Sequence, residues 1–309
     1  MTPATRLARV GAFTREAPDA EALHRGLAVW NRRRLAVQTP HADWADELSE
    51  DGRMLRLEGE FIEAFRAHVE PMLADVPQDA AGFTRWFEDL KASGPGQGDP
   101  LFAWLETAAS LEQMKWFLAQ EAAGEAGFDD LVAMTQVKLP TRPKLELARN
   151  YWDEMGRGNA RGMHGAMLER TVQGLGLRPT IEATCWQSLC LANTMTALAT
   201  TRRYAYQSIG ALGVVELTAP TRVGAVAEGL KRLGRPPDQR KYFQLHAALD
   251  LEHSRCWNAE ALVPLVEADP TCARFIAEGA LMRLVCGEQC FEVYRAVLLR
   301  GDPMRFAAE

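Results

Sequence analysis

The chain is poor in the features that mark several common protein classes. Its 309 residues include only six histidines and six cysteines. The cysteines, Cys185, Cys190, Cys256, Cys272, Cys286 and Cys290, never fall as C-x2-C. In a long chain without an export signal they read as buried thiols rather than disulfides. Cys286 and Cys290 stand one helical turn apart and read as core packing. No long Lys/Arg run occurs and the formal net charge is −6, so electrostatics supply no reason to expect nucleic acid. The short cluster Arg32–Arg34 reads as a solvated helix face. No apolar run approaches the ~18 residues of a bilayer span. The opening MTPATRLARVGAFTREAPD lacks the apolar core of a secretory signal, and the expectation is a cytoplasmic protein. There is no sustained alternation of the kind a sheet needs, no internal repeat and no low-complexity tract.

Hydrophobic residues at 47% and charged residues at 25% are ordinary for a soluble globular protein. The length admits one large domain or two small ones. Apolar residues at helical spacing predict helices over 20–34 and 53–73, with an irregular connection at 38–44 around Pro40. A further helix is expected over 80–92, closed by the loop SGPGQGDP. The stretch 100–137 reads as two helices, 101–124 and 128–137. Helices follow at 143–158, 178–198 and 200–217, with Pro220 as a stop, then at 221–233 and 239–259. A short apolar segment at 261–267 and a final helix over 271–299 complete the series. The fold class is all-α, one structural domain, with residues 1–99 as an N-terminal helical extension packed on a bundle formed by 100–309.

The most informative stretch is YFQLHAALDLEHSRCW, Tyr242 to Trp257. It places His246, Asp250 and His253 in the register H-x3-D-x2-H. At ~100° per residue, these side chains share one stripe about 60° wide on a helix. One helix cannot enclose a metal, so other elements must contribute. Glu154 ends a helix and His164 follows ten residues later. In one straight helix they would stand ~15 Å apart along the axis and about 80° apart in azimuth, so they can share a site only if Gly156-Arg157-Gly158-Asn159 bends the chain. Glu216 lies in the apolar run Val214–Leu217, where an unpaired carboxylate is costly. Glu121 and Glu125 are spaced i, i+4 near a helix end. His24, His41 and His68 have no carboxylate partner at a telling spacing and read as structural or exposed. The candidates are therefore Glu121, Glu154, His164, Glu216, His246, Asp250 and His253. Such a mixed carboxylate–imidazole set suits a pair of iron ions in a helix bundle. It does not suit cysteine-rich structural zinc and does not require haem. Trp152 reads as packing, while Tyr204, Tyr206, Met163 and Met167 either pack or line a pocket.

The segments NYWDEMGRGNARGMH and HAALDLEH resemble the haem-oxygenase-like di-iron oxidases and oxygenases, also described as iron-containing redox enzymes. The family pattern is a Glu, then Glu-x9-His, then a Glu, then His-x3-Asp-x2-His. Glu154 and His164 match the second element, Glu216 the third, and His246, Asp250 and His253 the last. Glu121 is the best match for the first, with Glu125 as its rival. The resemblance spans about 101–299; the first hundred residues carry no matching motif. It implies a haem-oxygenase-like bundle of seven helices holding two Fe(II) ions per chain, with O2 as co-substrate. A small amino-acid-like, amine or acyl substrate would undergo N-oxygenation, desaturation or oxidative C–C cleavage, in a biosynthetic pathway. Asp250 and His253 would be the mobile ligands of the weaker iron position. Other readings are a cofactor-free or mononuclear-metal enzyme of the same fold, a haem protein on it, or a non-catalytic iron-binding protein. The expected partners are a small-molecule substrate and an external electron donor, with no nucleic acid and no membrane. The apolar final helix suits a homodimer interface as well as it suits core packing.

Overall fold

The structure, a computed structural model, describes residues 18–40, 42–124 and 127–299. No strand occurs among the described residues. The first helices are α1 (Pro18–Leu35), α2 (Trp44–Val69), α3 (Ala80–Ser93), α4 (Pro100–Thr107), α5 (Leu111–Gly124) and α6 (Phe128–Thr135). They are followed by α7 (Thr141–Glu154), α8 (His164–Gly174), α9 (Trp186–Thr200) and α10 (Ala205–Arg232). The last are α11 (Lys241–Trp257), α12 (Val263–Ala268) and α13 (Cys272–Leu299). Short polar residues start several of them. The Asp79 carboxylate accepts from Gly82 N at 2.8 Å ahead of α3. Asp99 accepts from Leu101 N at 2.9 Å ahead of α4, where Pro100 takes the first helical position without losing a needed donor.

The all-α expectation holds, with four corrections to the elements. Helix α2 begins at Trp44, nine residues before the expected start. Its first turns are largely exposed, Trp44 and Leu48 included, so burial gives no periodic signal there. The stretch 100–137 contains three helices, because Ala108–Ser110 interrupt what reads as one. The apolar helix expected from 178 starts only at Trp186. The largest difference is α10, which runs through Pro220 rather than stopping there. A proline removes one backbone donor and costs a few kcal/mol, but α10 is the centre of the bundle, packed against α11, α13 and α4. The apolar surface it buries outweighs one lost hydrogen bond.

That central position also explains its composition. The segment Arg202–Arg232 contains an 18-residue window of mean hydropathy 1.2, more apolar than the sequence reading allowed, and 56% of that window is buried inside the protein. Against it, α13 crosses at very short range. A Cβ added to Gly279 would stand 1.8 Å from the Gln207 carbonyl oxygen, and one added to Gly210 would stand 1.8 Å from that of Ile276. Only glycine lets these backbones approach so closely.

The helices of the first hundred residues share this core. Leu27, Trp30, Phe61, Ile62 and Phe65 are buried with the bundle residues in one apolar cluster. Arg66 Nε donates to Glu278 Oε2 at 2.8 Å, and Gln207 Nε2 donates to the same oxygen at 2.7 Å, tying α2 to α13 and α10. Arg34 is not a solvated side chain. Its guanidinium sits 4.0 Å from the Trp30 ring centroid and bonds Glu58 at 3.0 Å. His24 is buried and stacked on Trp186, His68 is exposed, and His41 lies outside the described residues. All six cysteines are free thiols. Trp152 is 52% exposed rather than packed.

Candidate metal centre

Four elements bring the donors together. The end of α7 supplies Glu154, the start of α8 supplies His164, the middle of α10 supplies Glu216, and α11 supplies His246 and His253. The turn between α7 and α8 makes the first pair possible. Gly156 (φ 61°), Arg157 (φ 53°) and Gly158 (φ 83°) all adopt left-handed backbone, and the chain reverses tightly enough that a Cβ on Gly156 would meet Gly162 C at 2.3 Å. His164 Nδ1 then lies 2.7 Å from Glu154 Oε2. On α11, His246 Nδ1 contacts Asp250 Oδ1 and Oδ2 at 2.9 and 3.2 Å. His253 Nδ1 faces Glu216 Oε2 at 3.4 Å, while its Nε2 bonds Asp153 Oδ2 at 3.2 Å.

Two groups of converging donors result. One is Glu154, His164 and His246; the other is Glu154, Glu216 and His253. Within each, one donor atom per residue lies within 4.8 Å of the others. Glu154 belongs to both. Asp250 and Glu121 stand beside these groups rather than in them. Asp250 is occupied by His246. Glu121 shares a cavity wall with Glu216, His246 and Asp250, and its Oε1 accepts from Tyr294 Oη at 3.0 Å. Glu125 lies outside the described residues.

Four of these atoms, Glu154 Oε1, His164 Nδ1, His246 Nε2 and His253 Nδ1, are buried and make no hydrogen bond, although His164 Nδ1 and His253 Nδ1 each face a carboxylate oxygen within ion-pair distance. Buried polar atoms are normally satisfied, and an unsatisfied one costs about 1–3 kcal/mol. Four such atoms, one on a carboxylate and three on imidazoles, fit divalent iron or a similar metal, which would bind the rings once deprotonated. Electrostatics agree. Burial alone would lower the pKa of His246, but Asp250, Glu154 and Glu216 outweigh it and raise it to about 9. Burial likewise opposes charge on His253, and Glu216, Asp153 and Asp250 raise it to about 9. Burial and the charge of Glu216 push Asp250 up to about 6, against the pull of both imidazoles. Without a metal, protons on His246 and His253 offset part of the carboxylate charge.

Sequence reasoning missed the supporting residues. Asn150 Nδ2 donates to Glu216 Oε1 at 2.6 Å. It precedes Glu154 by one turn, so the signal was present. Asp153, the partner of His253, adjoins Glu154 but sits beside a surface arginine, Arg157, and nothing in its spacing marks it. Tyr294, Arg222 and Arg283 reach the region from α10 and α13 without any local motif. Tyr204, Tyr206, Met163 and Met167 do not line the cavity. That cavity, about 160 Å³, opens beside His246 and is mostly apolar, with Leu118, Leu131, Leu191, Met195 and Val226 among its walls.

A helical bundle that gathers carboxylates and histidines from facing helices into two adjoining sites is the architecture of the metal-dependent redox bundles. A family model described as iron-containing redox enzyme matches residues 115–288. The chain belongs to that family, with its haem-oxygenase-like fold. Two crystal structures of a CADD-like protein of unknown function from Nostoc punctiforme share the fold. Their TM-scores are 0.54 and 0.53 at 17% identity, and the matches cover 72% and 71% of this chain and 97% and 98% of that one. No curated protein matches the chain.

Proposed function

We propose that this protein is an O2-dependent non-haem di-iron oxidase or oxygenase acting on a small organic substrate held in the cavity beside His246. The observation that carries the reading is the sharing of Glu154 between two groups of buried donors. One carboxylate common to two three-donor sets places the two groups side by side, where they would hold two metal ions close together. The proposed ligands are Glu121, Glu154, His164, Glu216, His246, Asp250 and His253. Two Fe(II) ions there would supply the reducing equivalents and the coordination positions for O2.

The chain's own residues prepare that chemistry. Asn150 holds Glu216 Oε1 and leaves Oε2 turned toward His253. Asp153 holds His253 Nε2, which fixes the ring so that Nδ1 points inward. His246 and His253 must give up their extra protons before either can act as a ligand. Asp250 must release His246 Nδ1 before it can bind a metal itself. The cavity walls are mostly apolar, and a low local dielectric strengthens charge interactions inside it.

The test is anaerobic Fe(II) titration followed by exposure to O2, read by metal analysis and stopped-flow absorbance. Two irons per chain and a transient visible band support the proposal. One iron or none, with no O2 reaction in the presence of candidate substrates, would favour a mononuclear, cofactor-free or non-catalytic protein on the same fold. The His164→Ala variant should lose one iron while keeping its helical content.

A further inference from the structure

Two arginines, Arg222 of α10 and Arg283 of α13, stand in the cavity wall beside Phe102, Phe291 and Glu121. Arg222 is surrounded by protein and reaches solvent only in part. Its guanidinium donates to Thr218 Oγ1 at 3.1 Å and lies 6.0 and 5.6 Å from the ring centroids of Phe102 and Phe291. Among the described residues, neither arginine has a carboxylate within ion-pair distance. Glu121 is the carboxylate whose charge each feels, and Tyr294 already donates to it. Two guanidiniums therefore face one carboxylate across an apolar space. If Glu121 also ligates a metal, still less negative charge remains for the arginines.

We propose that Arg222 and Arg283 anchor the carboxylate of a small monocarboxylic acid whose apolar body lies along the cavity toward His246 and Asp250. This deepens the reading of the site given above and rests on it for the reaction, though not for the binding. Paired guanidiniums match a carboxylate in charge and in fork geometry. Burial and the like charge of Arg283 lower the pKa of Arg222 to about 9, and an anion would relieve both. Length follows from the helix. Arg222 lies six residues beyond Glu216 on α10, a rise of ~9 Å. The cavity, about 160 Å³, matches a benzene-sized body or a chain of roughly six carbons. Charge excludes the free amino acids. An ammonium beside the carboxylate would face two guanidiniums and Glu121, because the other carboxylates of the cavity are engaged, Glu216 by Asn150 and His253 and Asp250 by His246, and the local charge would stay unbalanced. A carboxylate without an amine brings the sum of Arg222, Arg283 and Glu121 to zero.

The experiment uses the full chain freed of metal, with hexanoate, hexanamide, hexylamine and hexyl phosphate as probes, read by calorimetric titration and thermal shift. Hexanoate should bind at least tenfold more tightly than hexanamide, and hexylamine should not bind. Arg222→Gln and Arg283→Gln should each weaken hexanoate at least tenfold and leave hexanamide unchanged, with circular dichroism confirming that both fold. Equal binding of hexanoate and hexanamide, or tighter binding of hexylamine, would overturn the proposal. So would hexyl phosphate binding tenfold more tightly than hexanoate, which would assign the anchor to phosphate esters. Retention of hexanoate affinity in both variants would overturn it too. The wild-type comparison needs no variant to fold. Because no metal is present, failure here and failure of the iron titration are separate results.

Discussion

His246 and His253 carry the centre's response to pH. Burial works against charge on both, yet Asp250, Glu154 and Glu216 around the first and Glu216, Asp153 and Asp250 around the second raise each to about 9. A metal must displace these protons. Apparent affinity for Fe(II), or for Co(II) as its stable stand-in, should rise as pH rises from about 6.5 to 9, with up to two protons released per chain. Calorimetry in buffers of different ionisation enthalpy measures that release. Affinity that stays flat over this range would remove both histidines from the ligand set. The metal-free protein should show the opposite slope. These raised values contribute stability that is complete below about 6.5 and is lost as pH climbs through about 9. A second expectation concerns the supporting partner. Asp153→Asn should weaken metal binding roughly 10- to 100-fold without altering helical content; an unchanged titration would mean that His253 needs no orientation. That Glu154, His164, Glu216, His246 and His253 converge was legible in the sequence, because helical periodicity and a glycine break restrict where such side chains can go. Asp153, Arg222 and Arg283 were not, because their roles depend on which helices become neighbours.

Helix α10 shows how a local rule yields to its surroundings. Pro220 reads as a terminator, and the chain continues for twelve residues beyond it, to Arg232. The proline nitrogen cannot donate to the carbonyl of Glu216, four residues back, so the hydrogen-bond ladder is open beside a proposed ligand. Helix boundaries at 44, 108 and 186 were likewise hidden, since polar turns and single-turn breaks carry little periodic signal. The glycines of the α10–α13 crossing are the clearest element-level determinant. A methyl group at position 279 would meet the Gln207 carbonyl oxygen at 1.8 Å, and α13 lies against α10 along much of its length. Gly279→Ala should therefore destabilise the protein by about 3 kcal/mol, measured by urea denaturation. Exposed Gly165 in α8, where an added Cβ meets nothing within 4 Å, is the control. There, alanine should be neutral or slightly stabilising. Equal effects at the two positions would mean that the helices do not cross as described.

Across the whole molecule, the helices before residue 100 and the bundle are joined by polar contacts as well as apolar ones. Arg66 of α2 reaches Glu278 of α13, and Gln207 of α10 completes the pair. Glu278 is 2% exposed, so Arg66→Ala would leave a buried carboxylate with only an amide donor. Breaking such a pair costs about 3 kcal/mol, at the low end because Arg66 is partly solvated. The expected result is a lower denaturation midpoint for the entire chain, with circular dichroism and tryptophan fluorescence still changing together. If the two signals separated, the N-terminal helices and the bundle would be distinct folding units. Metal should act on the same cooperative unit from the other side. Its proposed donors come from α7, α8, α10 and α11, elements that unfolding separates, and the unfolded chain cannot reproduce that geometry. Free metal at about 100 times its dissociation constant stabilises the folded form by ~2.7 kcal/mol, equivalent to roughly 5–10 °C at 2–4 °C per kcal/mol in proteins somewhat smaller than this one. Stripping metal with a chelator should lower the thermal midpoint by that amount, and Fe(II) or Co(II) under anaerobic conditions should restore it. The Arg66→Ala protein should show the same metal-dependent increment from its lower baseline, because Arg66 and the metal donors share no contact and distant effects add. An increment abolished by Arg66→Ala would mean instead that the N-terminal helices help to hold the metal centre in its binding geometry.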